Sequence, residues 1–225
     1  LLIVVLPTQA DPGLKEFTAE YDLSPGGIIL ATVELSLKLS PLGRYRYQAR
    51  TIATGPVAVF RDDEITELSI GHVDQDGVRP DSYLYQHRKP SKNHRVDLDF
   101  DWQNGRVTNR TADSRWSMAI HPGTQDKFSQ QLRLMLAVSK GAQMIEFPVA
   151  DGGLLKGYRF EQQGWEQVTT RIGAFNSLKL SRSKNDKPSR ASYWLAPKLN
   201  YLPVKVVRTE PDGNFVMLLR SLTWH

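Results

Sequence analysis

The chain contains no cysteine among its 225 residues. That excludes disulfides, thiol catalysis and thiolate metal centres, and leaves packing and hydrogen bonding to hold the fold. After the first few residues, no stretch approaches the ~18 consecutive apolar residues that a membrane-spanning helix needs. Histidine is sparse: His72, His87, His94, His121 and His225 are scattered, and none falls in an HxH or HExxH spacing. No serine sits in a GxSxG elbow. Pro122-Gly123-Thr124 has neither the lysine nor the spacing of a phosphate loop, and no segment has the calcium-loop pattern. The sequence thus carries no signature of a classical hydrolase, a nucleotide enzyme or a metalloenzyme, and it implies no cofactor.

Charge is nearly balanced. Lys and Arg number 29 against 24 Asp and Glu, a formal net charge of +5. This permits an anionic partner such as an anionic lipid, lipopolysaccharide or acidic glycan without demanding one. It is too little, in a chain with no nucleic-acid-binding motif, to suggest nucleic acid. With 40% hydrophobic and 24% charged residues, the chain has the balance of a globular protein that buries a core.

The first ten residues, LLIVVLPTQA, stand apart. Leu1–Leu6 is uninterruptedly apolar, and Thr8-Gln9-Ala10 has the small–x–small pattern of a signal-peptidase site. They read as the remnant of a signal peptide, with a mature start near Asp11. The expectation is a single β-rich domain over residues 11–225, exported to the periplasm of a Gram-negative bacterium.

From Phe17 onward, most of the chain alternates apolar and polar residues, the period of half-buried strands. Phe17–Tyr21, Ile28–Leu39 and Arg44–Arg50 form an opening meander, with Tyr45 and Tyr47 on one face. Tyr83–His87 pairs with Arg95–Trp102, where Val96, Leu98, Phe100 and Trp102 share a face opposite Asp97, Asp99 and Asp101. Later strands are Met144–Val149, Leu155–Gln163, Glu166–Arg171 and Phe175–Ser183, with turns at Gly164 and Gly173. Ala191–Leu195 follows, and Tyr201–Glu210 with Asn214–Trp224 forms a final hairpin. About a dozen strands result.

One long helix interrupts them, predicted over Thr124–Gly141. Thr124 or Asp126 supplies the N-cap and Gly141 the C-cap. Phe128, Leu132, Met135 and Leu136 fall on one face, widened by Leu134 and Val138, with Lys127, Gln130, Arg133 and Lys140 left to water. The fold class is therefore mainly β: a large curved antiparallel sheet or open β-barrel with one long covering α-helix.

Three groups of residues could carry function. Asp97, Asp99 and Asp101 place three carboxylates on one strand face, where they could hold a cation or do acid–base work; water-facing strand positions are also polar by necessity. Tyr45, Tyr47, Tyr83, Tyr85, Trp102 and Trp194 could line a cavity for a lipid tail or sugar, or simply pack a core. The segment Arg171–Arg208 holds nine basic residues against the single acid Asp186. Within it Arg182, Lys184, Lys187 and Arg190 form a patch for an anionic partner, or a solvated strand face.

FDWQNGRV (Phe100–Val107), HPGTQDKFSQQLRL (His121–Leu134), the Gly173-Ala174-Phe175 turn and YWLAPKLNYLPVKV (Tyr193–Val206) followed by Asp212-Gly213 resemble the DUF3108 family of exported bacterial proteins of unknown function. The resemblance spans about residues 15–222. It implies a β-rich architecture and carries over no catalytic residue. By fold-level analogy, that architecture is distantly like the open half-barrels of periplasmic lipoprotein carriers. The expectation is a non-enzymatic binding protein for a hydrophobic or amphipathic envelope component (lipid, lipoprotein or glycolipid). The alternative is an envelope assembly protein acting through its basic surface, and a glycan-acting enzyme ranks last.

Overall fold

In a computed structural model, which describes residues 13–54, 64–89, 93–185, 187–210 and 213–225, the alternating segments join into one sheet of fifteen strands. The first meander comprises β1 (Phe17–Pro25), β2 (Ala31–Leu39), β3 (Arg44–Ala53), β4 (Glu64–Asp74), β5 (Gly77–Arg88), β6 (Asn93–Asp101), β7 (Arg106–Thr111) and β8 (Arg115–Ala119). A short β9 (Gln125–Asp126) and the helix α1 (Ser129–Ser139) follow. The second meander is β10 (Ile145–Asp151), β11 (Leu154–Thr170), β12 (Gly173–Lys184), β13 (Lys187–Ala196), β14 (Leu202–Glu210) and β15 (Gly213–Trp224). The last strand docks beside the first, pairing Phe17 with Trp224 and Pro25 with Phe215, so the two meanders fuse at β1 and β15. The signal-peptide reading of residues 1–10 lies outside the described residues.

Strand periodicity places the core on one face of this sheet. Along β2, Ala31, Val33, Leu35 and Leu37 are buried while Glu34 and Lys38 are exposed. On β3, Tyr45, Tyr47 and Ala49 are buried and Arg44, Arg46 and Arg50 point the other way. The inward side chains of both meanders meet the helix, which is buried on nearly every side. Phe128 just before it and Leu132, Met135 and Leu136 within it join a core that runs through β1 to β7 and takes in Ala150, Val168, Trp194, Val204 and Leu219 of the second meander, whereas Leu134 and Val138 join a second core built from β10 to β14. A helix apolar around most of its circumference belongs inside a fold, not on its surface. It fills the sheet's concavity as a plug.

Two expectations are corrected here. The helix is short, eleven residues, because Gln125–Asp126 is drawn into parallel pairing with Val149–Ala150 of β10. Its polar face is also narrower than expected: Lys127 and Lys140 are exposed as read, but Gln130 is only 4% exposed, and Arg133, half-buried, donates to the Asp76 carbonyl at 2.6 Å in the β4–β5 turn. The stop at Gly141 is as read. Gly141 has φ +78°, its N–H donates to Val138 O, and Ala142 N–H donates to Ala137 O, a Schellman closure.

Asp126 ties the plug to the wall. Its Oδ1 accepts from the N–H groups of Phe128 (2.7 Å) and Ser129 (2.6 Å), capping the approach to the helix, and its Oδ2 accepts from Ser69 Oγ of β4 at 2.6 Å. Ser69 Oγ in turn lies 2.9 Å from Tyr45 Oη of β3. Complete burial pushes the Asp126 carboxyl up to about 6, against these hydrogen bonds, which favour the charged form.

The remaining differences concern strands. Fifteen form instead of about a dozen. Gly164 marks a bulge, not a turn, so the two short strands expected around it are one seventeen-residue β11. The sheet stays open between β8 and β9, the two ends of its strand order. Near this opening, the Trp116 ring of β8 lies so close to Gly153, in the β10–β11 turn, that a Cβ there would sit 3.1 Å from it.

Candidate functional site

Pairing register decides which side chains look inward. From the first meander, Glu67, Tyr85 and Val96 occupy one inward row, and Ile65, His87 and His94 the next towards the β5–β6 turn. From the second, Phe215, Arg208, Ala191, Arg182 and Phe160 are successive cross-strand neighbours. Ala191 and Phe160 lie in the core that contains the helix residues Leu134 and Val138, so Arg182 and Arg208 lie on the concave face. Both rows are near the same end of the sheet, its mouth, where the β1–β2 and β14–β15 turns also lie.

The mouth is lined by phenols, cations and one carboxylate. Tyr83 donates to Glu67 Oε1 at 2.7 Å, and His94 meets the Tyr85 ring edge-on at 5.9 Å. Burial, then Glu67, push the Tyr85 phenol up, and Arg208 from the opposite meander draws it back. Tyr47 is driven well above the usual phenol range by burial, reinforced by Tyr21, Glu67 and Tyr193. Its hydroxyl is buried with no hydrogen-bond partner among the described residues. Arg182 lies 4.5 Å from the Tyr158 ring centre and donates to Tyr193 Oη at 3.3 Å.

Beyond Tyr158 lies Asp151, buried, and surrounded by lysines. Its Oδ2 accepts from Lys156 Nζ at 3.0 Å, from Tyr158 Oη at 3.1 Å and from Lys184 Nζ; Lys127 Nζ lies 3.7 Å from its Oδ1. Although burial opposes it, the bonds from Lys184 and Lys156 hold the carboxyl well below the usual range.

The sequence candidates sort accordingly. Tyr85 sits at the mouth; Tyr47 and Tyr83 are buried one row deeper, in line with Ser69, and Tyr83 reaches up to Glu67. Tyr45 sits deeper, beside Asp126 and Ser69. Trp102 stacks on Phe100 at 5.6 Å and donates to Pro80 O, away from that group. Trp194 is buried in the core that holds Phe128 and Met135, away from the mouth, between Lys205 (4.5 Å) and Lys179 (5.1 Å) with its indole N–H on Glu166. Arg182 and Lys184 are not on an outer patch: they turn inward and join the aromatics. Lys187 and Arg190 belong to β13, and their side chains lie outside the described part of the structure.

Asp97, Asp99 and Asp101 do share the outer face but do not act as a group. Asp97 takes both bonds of Arg95 (2.7 and 2.8 Å), Asp99 pairs with Arg110, and Asp101 caps Asn104. Among the described residues no three His, Asp or Glu side chains are arranged to hold a metal. A polar groove of about 370 Å³ on the convex face, lined by Ser36, Arg46 and their neighbours, is separate from the mouth. Sequence reasoning missed Glu67, Tyr158, Tyr193, Asp151 and the inward aim of Arg208. Their alternation was visible, but strand partners were not.

The fold and the mouth define an open, β-barrel-like protein whose interior is occupied by its own helix. The chain belongs to the DUF3108 family, described as a protein of unknown function, whose family model matches residues 17–220. It is similar in fold to the crystal structure of a β-barrel-like protein of the domain of unknown function DUF1849 from Brucella abortus. The TM-score is 0.61 at 13% identity, over 94% of this chain and 98% of that one. A candidate lipoprotein from Parabacteroides distasonis ATCC 8503 aligns over 94% of this chain and 97% of its own at 10% identity, with a TM-score of 0.37 that carries no argument. No curated protein matches the chain. No described helix is long and apolar enough to cross a membrane.

Proposed function

We propose that this protein is an exported, periplasmic binding protein that holds an amphipathic envelope molecule at the mouth of its sheet, without covalent chemistry. One observation carries the reading. Arg182 and Arg208 share an inward row with Ala191 that ends on Phe215, facing the phenols of the opposite meander. Next to them the rim is apolar: Ile28 is 70% exposed, Ile29 42% and Phe215 38%. A cationic row beside exposed apolar side chains matches a molecule with an anionic head and an apolar body. Because the helix fills the interior, the apolar body would lie across the rim and the phenol rings instead of entering a deep tunnel.

The basic-surface alternative is weakened by the inward aim of Arg182 and Lys184. A titration with a dansylated fatty acid tests the proposal. Saturable enhancement of its fluorescence, weakened about tenfold or more by Tyr85→Ala or Arg208→Gln, is the expected result. Binding that neither substitution changes would remove the mouth from consideration.

A further inference from the structure

The lysines around Asp151 outnumber what one carboxylate can satisfy. Each ammonium carries three donors, and the carboxylate offers about four lone-pair sites, one of which already takes the Tyr158 hydroxyl. Among the described residues, three positive charges converge on one negative charge. Lys156 keeps only 18% of its side-chain exposure, against 34% for Lys184 and 49% for Lys127, so water screens the outer lysines and reaches the innermost least. Arg182, 4.5 Å from the centre of the Tyr158 ring, adds a fourth cation. The Lys184 ammonium is correspondingly depressed, by burial first and by Lys156 against it, even though Lys184 touches a carboxylate.

We propose that Lys127, Lys156, Lys184 and the Tyr158 hydroxyl form a binding site for a phosphate group, either free or as a phosphomonoester. Asp151 is the internal anion that gathers the lysines when no phosphate is present. A phosphate brings up to two negative charges and several acceptor oxygens, which fits the surplus of charge and of donors; a second carboxylate would supply less of both. The inference rests on the proposed mouth in one respect: a phosphate here, next to Arg182, would be the head of the amphipathic molecule held there.

The test uses three ligands on the full chain: dihexanoyl phosphatidic acid, dihexanoylglycerol and glycerol 3-phosphate. Calorimetry is expected to show the phosphatidic acid binding about tenfold or more tightly than dihexanoylglycerol. Lys156→Gln with Lys184→Gln should erase that preference and leave dihexanoylglycerol binding unchanged. Asp151→Asn removes the competing internal anion and should tighten phosphate binding, whereas a carboxylate that merely cross-links lysines would give only a less stable protein. Should Asp151→Asn not fold, Lys127→Gln is used instead, and it should weaken phosphate binding.

Equal affinity for the two lipids overturns the phosphate site and leaves the mouth standing. If neither lipid binds but glycerol 3-phosphate does, the mouth reading fails and the site is one for a small water-soluble phosphomonoester. If none of the three binds, both readings fail.

Discussion

Tyr47 and Phe128 lie ring upon ring, with centroids 4.1 Å apart and planes within 16°. One belongs to the sheet wall, the other to the turn that starts the helix. The stack therefore binds the plug to the wall, and the Tyr47 hydroxyl, without a hydrogen-bond partner among the described residues, lies within the electrostatic reach of Glu67, Tyr21 and Tyr193. Packing inside the sheet and the proposed binding surface share this residue, so loosening one should be felt at the other.

Phe128→Ala should destabilise the protein by about 3–5 kcal/mol, the range for deleting a buried aromatic ring. Urea unfolding followed by tryptophan fluorescence measures it. A loss under about 1 kcal/mol would mean that the plug is not held by this stack.

Asp126 gives the fold a pH dependence of defined sign. Its folded pKa, about 6, lies above the ordinary carboxyl value of 3.8. Its contribution is therefore fully present below about pH 4 and is lost as pH rises through 6. The rise corresponds to on the order of 3 kcal/mol between those limits. Asp151 runs the other way, its contribution being present above the ordinary carboxyl value and lost in stronger acid. Comparing wild type with Asp126→Asn isolates the first effect: the stability gap between them should shift in favour of the Asn variant from pH 4.5 to pH 7.5. A gap independent of pH would show that Asp126 titrates normally.

What the sequence disclosed was mostly local. Alternation placed Tyr45, Tyr47, Val96, Leu98 and Phe100 correctly on buried faces, and Gly141 ended the helix where it was read. What it hid depends on partners far along the chain. Gln125 and Asp126 look like the first turn of a helix until β10, more than twenty positions later, offers them a parallel strand. Gly164 looks like a turn, because a bulge and a turn use the same residue. The site was half legible. Its phenols were singled out, but Arg182 and Lys184 were assigned to a surface, since only the register of β11, β12 and β13 shows which side they face. Trp194 and Tyr193 are adjacent and both buried, yet they join different cores.

The approach of Trp116 to Gly153 bears on how the open edge is kept from fraying. Trp116→Ala should speed hydrogen exchange in the amides of β8 by about tenfold or more while leaving β1 and β15 protected. Unchanged exchange in β8 would show that hydrogen bonding to β7 suffices.

Arg208 is exposed and sits at the lip, so replacing it should cost little stability. Arg208→Gln should shift the thermal midpoint by no more than a few degrees yet weaken binding of an anionic amphiphile, with the loss shrinking as salt is raised. Equal weakening for neutral and anionic amphiphiles would mean that the guanidinium acts through shape, not charge.

The central claim is that the mouth holds an amphipathic anion. The most direct test is native mass spectrometry of the protein purified without detergent from an expressing Gram-negative cell. The expected result is a reproducible adduct, released by organic solvent, whose mass identifies a lipid or glycolipid with an anionic head. An unadorned mass from protein shown to be folded, unchanged when anionic lipid is added back, would contradict the claim.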